Sequence, residues 1–117
     1  ILLSLFFQSG FSINPLRDYP RTPKDFNLIY QEIKLDTQDG YKLNSWILKP
    51  AAENQKNYTF ILANSDAGNM SYLLPYAAML VARGYSVILF DYRGFGHSSD
   101  FNMNLDQYYY NEFVTDF

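Results

Sequence analysis

Hydrophobic residues alternate with polar ones in the first half of the chain and gather into unbroken runs in the second. From Leu28 to Thr37, Ile29, Ile33 and Leu35 fall on one face. From Tyr41 to Lys49, Leu43 and Ile47 fall opposite Trp46 and Leu48. A period of two predicts strands. Gln38-Asp39-Gly40 between them reads as a tight turn, since Asp-Gly tolerates the positive φ that hairpins need. Segments 28–37 and 41–49 are therefore expected to form an antiparallel hairpin, stopped by Pro50. Residues 51–57 (AAENQKN) are a polar connection. Segments 58–63 and 85–91 are almost wholly apolar, which predicts strands buried on both faces, as in a parallel sheet. Between them, Leu73, Ala77, Leu80 and Val81 recur at helical spacing. Pro75 belongs in a first turn and Gly84 ends a helix, so the helix is expected near 72–83. Such a strand–helix–strand crossover is right-handed by default. Residues 98–106 are a polar loop, and Tyr109, Phe113 and Phe117, four apart, predict a second amphipathic helix from about residue 107. The fold class is α/β: an antiparallel hairpin followed by a parallel βαβ unit.

The chain has 117 residues, 48% of them hydrophobic, which excludes a disordered tail and allows one domain with a real core. Net charge is −3 and lysine and arginine form no cluster, so no nucleic-acid partner is expected. With no cysteine there is no disulfide, thiolate metal site or cysteine nucleophile. No His/Asp/Glu group has metal-ligand spacing, so neither a metal nor a cofactor is expected.

Three stretches organise the chain. Ile1–Phe7 is too short to span a bilayer, and Gly10-Phe11-Ser12 has the small-x-small form of a signal-peptidase site. Residues 1–12 read as the end of a secretory signal, implying a secreted, periplasmic or cell-envelope protein. The alternative is a terminal strand or helix packed on the domain. Residues 13–27 carry three prolines and mixed charges and read as an extended linker. Residues 28–117 are the domain.

Two loops follow the buried runs, where an α/β sheet places function: Asn64–Asn69 and Asp91–Ser99. In the second, Gly94 and Gly96 permit a tight reversal, and Asp91 and Arg93 pair with neighbouring loops or with each other. Gly96-His97-Ser98-Ser99-Asp100 begins like a Gly-x-Ser-x-Gly elbow. It lacks the final glycine and the strand–turn–helix context, so Ser98 is not read as a nucleophile. Gly94-Phe95-Gly96 lacks the third glycine of a dinucleotide fingerprint. His97, the one histidine, reads as an exposed loop residue.

Thr37-Gln38-Asp39-Gly40-Tyr41-Lys42-Leu43 with Trp46, then Ala67-Gly68-Asn69, then Gly84-Tyr85-Ser86-Val87, then Asp91-Tyr92-Arg93-Gly94-Phe95-Gly96 together resemble the N-terminal part of the α/β-hydrolase superfamily. Its peptidase- and esterase-like serine hydrolases are the nearest in pattern, and the resemblance spans residues 28–117. It implies that loop 64–69 supplies oxyanion-hole N–H groups. Asn64 and Ser65 stand where His and Gly are usual, and Asp66, with Ser65 beside it, would offer the N–H. A carboxylate beside a developing oxyanion is unfavourable unless it points away or is paired. The alternative is a helix-capping loop, with Asn69 or Ser71 as the cap.

The resemblance also implies that Asp91, Arg93, Gly94 and Gly96 border the active site without supplying the nucleophile. The superfamily order is Ser, acid, His, and His97 precedes any nucleophile, so no catalytic residue is expected in this stretch. Nucleophile, acid and histidine would lie on the remaining half of the hydrolase domain, and the substrate would be a small-molecule ester or peptide. On this reading the chain alone is an inactive N-terminal fragment of a serine hydrolase. A second reading is a non-catalytic α/β-hydrolase-like binding protein, favoured by Asn64 and Ser65. A third is a small stand-alone domain. Against it stand a free sheet edge expected beside 85–91 and the apolar stripe Tyr109/Phe113/Phe117.

Overall fold

The computed structural model describes residues 13–102, 104 and 109–117. The stretch read as a signal remnant, 1–12, lies outside them. The hairpin forms as its alternation requires, with β2 (Ile29–Asp36) antiparallel to β3 (Lys42–Lys49). Its turn closes through the Thr37 N–H to the Tyr41 carbonyl at 2.8 Å, with Gly40 at φ 92°. The βαβ unit follows: β4 (Thr59–Ala63), α1 (Leu74–Ala82) and β6 (Ser86–Phe90), with β4 and β6 parallel. The four strands lie in the order β2-β3-β6-β4. A second, two-stranded sheet joins β1 (Asn14–Pro15) in parallel to β5 (Ala67–Gly68). Helix α2 (Tyr110–Asp116) ends the described chain.

Register decides which side chains share a face, because directly paired residues point the same way. Trp46 pairs with Leu89, and Leu48 with Val87. These four, with Met70, Leu74, Ala77 and Val81, form the core between the sheet and α1. On the hairpin strand β2 it is Tyr30 and Glu32 that share this face, opposite Leu48 and Trp46. Ile29, Ile33 and Leu35 lie on the other face with Leu43, Ile47, Ile88 and Ile61. That face is only partly covered: Ile29 is 65% exposed and Ile61 55%.

Two sequence expectations are corrected by this order. Strand 85–91 has no free edge, since β3 folds back to pair with β6 on the side away from β4. Segment 58–63 is not buried on both faces: β4 is itself an edge strand, with Phe60 41% exposed. An unbroken apolar run does not distinguish an edge strand from a central one.

Helix α1 begins where Pro75 allows. A 3-10 turn, Met70–Leu73, leads into it, capped by the Asn69 side chain, which accepts the Ser71 N–H at 3.1 Å. Its end is set by Gly84 at φ 95°. A β-carbon there would sit 2.0 Å from the Asn54 carbonyl oxygen, so only glycine fits. Helix α2 starts at Tyr110, and residues 105–108 before it lie outside the described residues. Phe113 meets the rings of Tyr92 and Phe95, while Phe117 is 71% exposed.

Candidate functional site

Ala63 and Phe90 are register partners at the C-terminal ends of β4 and β6. The two loops expected to carry function therefore leave the sheet side by side. This is the edge at which open α/β sheets bind ligands.

The 91–99 loop is held from several sides. Asp91 is buried: its Oδ1 accepts the Met70 N–H at 2.7 Å and its Oδ2 accepts the Tyr19 hydroxyl. Burial pushes the Asp91 carboxyl above its ordinary pKa, against the lowering effect of the Tyr19 and Met70 bonds. Burial, and then the charge of Asp91, raises the Tyr19 hydroxyl in turn. The same hydroxyl accepts the His97 N–H at 3.0 Å and an Asn44 side-chain N–H at 2.9 Å. Asn44 also reaches Glu32 at 3.0 Å, which Trp46 Nε1 meets at 2.8 Å. Burial disfavours a charged Glu32, but these two donors outweigh it and lower its pKa.

Gly94 and Gly96 take φ 81° and 48°, the reversal expected of them. Gly96 has a second constraint. A β-carbon there would lie 1.9 Å from Asp91 Oδ2 and 2.6 Å from the Tyr19 oxygen.

Asp91 and Arg93 do not pair with each other. Arg93, with 1% of its side chain exposed, is bound by Asp116 of α2 at 2.6 Å and by Asp39 of the hairpin turn at 2.8 Å. Asp116 also accepts the Arg93 backbone N–H at 2.8 Å. The guanidinium lies 4.1 Å from the Tyr41 ring centroid. Burial disfavours the Arg93 charge, yet the bonds to Asp116 and Asp39 raise its pKa. The Arg93 bonds hold Asp39 at about 2, below the usual carboxylate range. Arg93 thus ties turn, loop and α2 together.

Ser98 is 2% exposed, and its hydroxyl is used twice. It donates to the Asp91 carbonyl at 2.6 Å and accepts the Asn44 backbone N–H at 2.8 Å. These bonds give Ser98 a structural task. His97 is exposed, its ring 4.3 Å from that of Tyr19.

Loop 64–69 is held at its end and open at its start. Asn69 is buried with all its polar atoms used: Oδ1 accepts from Ser71, and Nδ2 donates to the Leu16 and Asp18 carbonyls at 3.0 and 2.8 Å. The capping reading of Asn69 is therefore realised. Asn64 Nδ2 donates to the Ala67 carbonyl at 3.0 Å. Ser65 is exposed and Asp66 half-buried. No acceptor among the described residues takes the backbone N–H of Ser65 or Asp66.

Segment 13–27 holds β1 and a 3-10 turn at Pro23–Phe26, and it is bound to the domain. Ile13 is 1% exposed, Asn14 N–H reaches the Asp66 carbonyl and Leu16 N–H the Gly68 carbonyl, both at 2.9 Å. Tyr19, Asn44 and Asp116 are site residues the sequence reading passed over. The available signals were an apolar Ile13 two residues before Pro15 and the single arginine of the 91–99 loop.

No protein-family model matches the chain. It is 32% identical over 97 residues to protein bem46 of Schizosaccharomyces pombe, covering 82% of this chain and 32% of that protein. It is 31% identical over 86 residues to the α/β hydrolase domain-containing protein WAV2 of Arabidopsis thaliana, covering 73% and 28%. The chain thus spans about a third of the length of the curated relatives it matches. Among solved structures, an esterase from Pyrococcus furiosus superposes with a TM-score of 0.62 at 29% identity, over 78% of this chain and 35% of that one. An esterase from Exiguobacterium antarcticum shares the fold, with a TM-score of 0.59 at 20% identity. The hairpin-then-βαβ architecture and these relatives place the chain in the α/β-hydrolase superfamily, of whose fold it carries a part.

Proposed function

We propose that the chain supplies the oxyanion-binding side of a serine hydrolase acting on small-molecule esters or amides. The observation that carries this is the place of the Ser65 and Asp66 N–H groups, which meet no acceptor among the described residues, on a loop at the C-terminal end of β4 beside the buried Asp91 loop. Donors fixed where charge develops on a carbonyl oxygen are a large part of acyl-transfer catalysis. The likeness to esterases of solved structure supports the ester class.

On this reading the nucleophile, its acid and its histidine come from outside the described residues. Ser98 does not supply the nucleophile, because its hydroxyl is consumed by structure, and His97 precedes the nucleophile that the superfamily order places ahead of the histidine. The test is hydrolysis of a short-chain chromogenic ester by the full-length protein and by the 117-residue chain alone. Turnover by the former and none by the latter is expected. Turnover by the chain alone that disappears in Ser98→Ala would overturn the assignment.

A second reading, a non-catalytic binding protein, is favoured by Asn64, whose side chain bonds back to the loop at Ala67. It predicts saturable binding of an ester analogue with no turnover by the full-length protein.

A further inference from the structure

We propose that residues 14–19 form a positioning strap that fixes segment 66–68 and, through it, the direction of the Asp66 N–H. The inference rests on the ester-site reading above and adds a positioning element to it.

Loop 64–69 has little holding it from within: one side-chain bond, from Asn64 to the Ala67 carbonyl, and the Asn69 cap. Gly68 sits at φ 79°, a region most residues avoid. Such a loop samples many conformations unless something outside constrains it. The strap is that constraint. Its β1 pairs in parallel with β5, through the Asn14 N–H to the Asp66 carbonyl and the Leu16 N–H to the Gly68 carbonyl. The Leu16 carbonyl then accepts from both loops at once, from Asn69 Nδ2 at 3.0 Å and from the Gly96 N–H at 2.9 Å. Tyr19 finishes the connection: its hydroxyl holds Asp91, whose other oxygen holds Met70 N–H, immediately after the loop. Strap, oxyanion-loop candidate and Asp91 loop thus form one closed circuit of hydrogen bonds. Displacing a catalytic donor by about 1 Å costs on the order of a hundredfold in rate, so the strap bears on turnover without touching substrate.

The test uses the full-length protein. Asn14→Pro deletes the N–H that reaches Asp66, and Asn14→Ala removes the same exposed side chain but keeps that N–H. Amide exchange over 65–68 is expected to be about tenfold faster in the proline variant than in the alanine variant. Its kcat on a short-chain nitrophenyl ester is expected to fall about tenfold to a hundredfold, with KM unchanged. Tyr19→Phe keeps the ring against Trp46 and releases Asp91. It should move exchange and kcat the same way, and it stands in if the proline variant does not fold. Equal exchange and equal kcat in the two Asn14 variants would overturn the strap, as would a rise in KM at constant kcat. A wild-type protein without turnover would overturn the ester reading instead. Exchange would then decide the strap: faster in Asn14→Pro supports it, and unchanged refutes it.

Discussion

Replacing Gly96 by alanine asks Asp91 to leave its place. Gly96 has φ 48°, so alanine there costs about 1–2 kcal/mol in backbone strain alone. The added β-carbon would also lie 1.9 Å from Asp91 Oδ2 and 2.5 Å from its Cγ. Contact distances between such atoms are nearer 3.5 Å, so the carboxylate must shift by more than an ångström. The bond that Oδ2 accepts from Tyr19 cannot survive that shift. Each bond to a buried charged group is worth about 1.5–3 kcal/mol. Strain plus the loss of that bond gives about 2.5–5 kcal/mol. Gly40 is the control. It also has positive φ, at 92°, but a β-carbon there meets nothing within 4 Å, so Gly40→Ala carries only the backbone cost. At about 4–8 °C per kcal/mol for a domain of this size, thermal unfolding followed by circular dichroism should place Gly96→Ala at least about 6 °C below Gly40→Ala. Melting temperatures that agree within about 3 °C would refute the steric reasoning and the claim that Asp91 is pinned against this loop.

Arg93 offers a second contrast. Asp116→Ala leaves its guanidinium buried with half its compensation and should cost about 3 kcal/mol, whereas Asp39→Ala, at a carboxylate 46% exposed, should cost much less; denaturant unfolding of both variants checks this. The Asp39 contribution has a pH signature. A carboxyl held down at about 2 in the folded protein stabilises fully above about pH 4 and loses that effect as pH falls through about 2. The stability gap between wild type and Asp39→Asn should therefore close over that window in an acid titration. Core truncation at Leu89, fully buried between Trp46 and α1, should cost about 2–5 kcal/mol, while Ile61→Ala on the open face should cost well under half of that.

The strands and α1 were legible because burial imposes a period on side chains, and the period is written in the residues themselves. Ile33-Lys34-Leu35 alternates and lies in β2, whose residues are mostly exposed; Leu43 to Leu48 and Val87 to Phe90 put apolar residues on both faces and lie in the buried β3 and β6. Strand order was harder to read. Segment 58–63 is as apolar as its neighbour yet forms an edge, because neighbours in a sheet are chosen by chain connections that no local pattern records. The site divided along the same line. Gly94, Gly96 and the Asn69 cap announce themselves by residue type. The strap does not, because Asn14 and Leu16 act through backbone groups that any non-proline residue owns. The Arg93–Asp116 pair spans 23 residues and Arg93–Asp39 spans 54, so the partners of that arginine became visible only once the turn, the loop and α2 had been brought together.

The most direct measurement is the ester turnover of full-length Asp66→Pro beside Asp66→Asn. Proline removes the backbone N–H assigned to the oxyanion, whereas asparagine keeps that N–H and removes the carboxylate charge. The oxyanion assignment predicts that Asp66→Pro lowers kcat by about a hundredfold to a thousandfold with KM little changed. It predicts that Asp66→Asn retains or raises kcat, because a negative charge near the developing oxyanion is gone. Equal turnover in wild type and Asp66→Pro would contradict it and leave loop 64–69 as a helix cap.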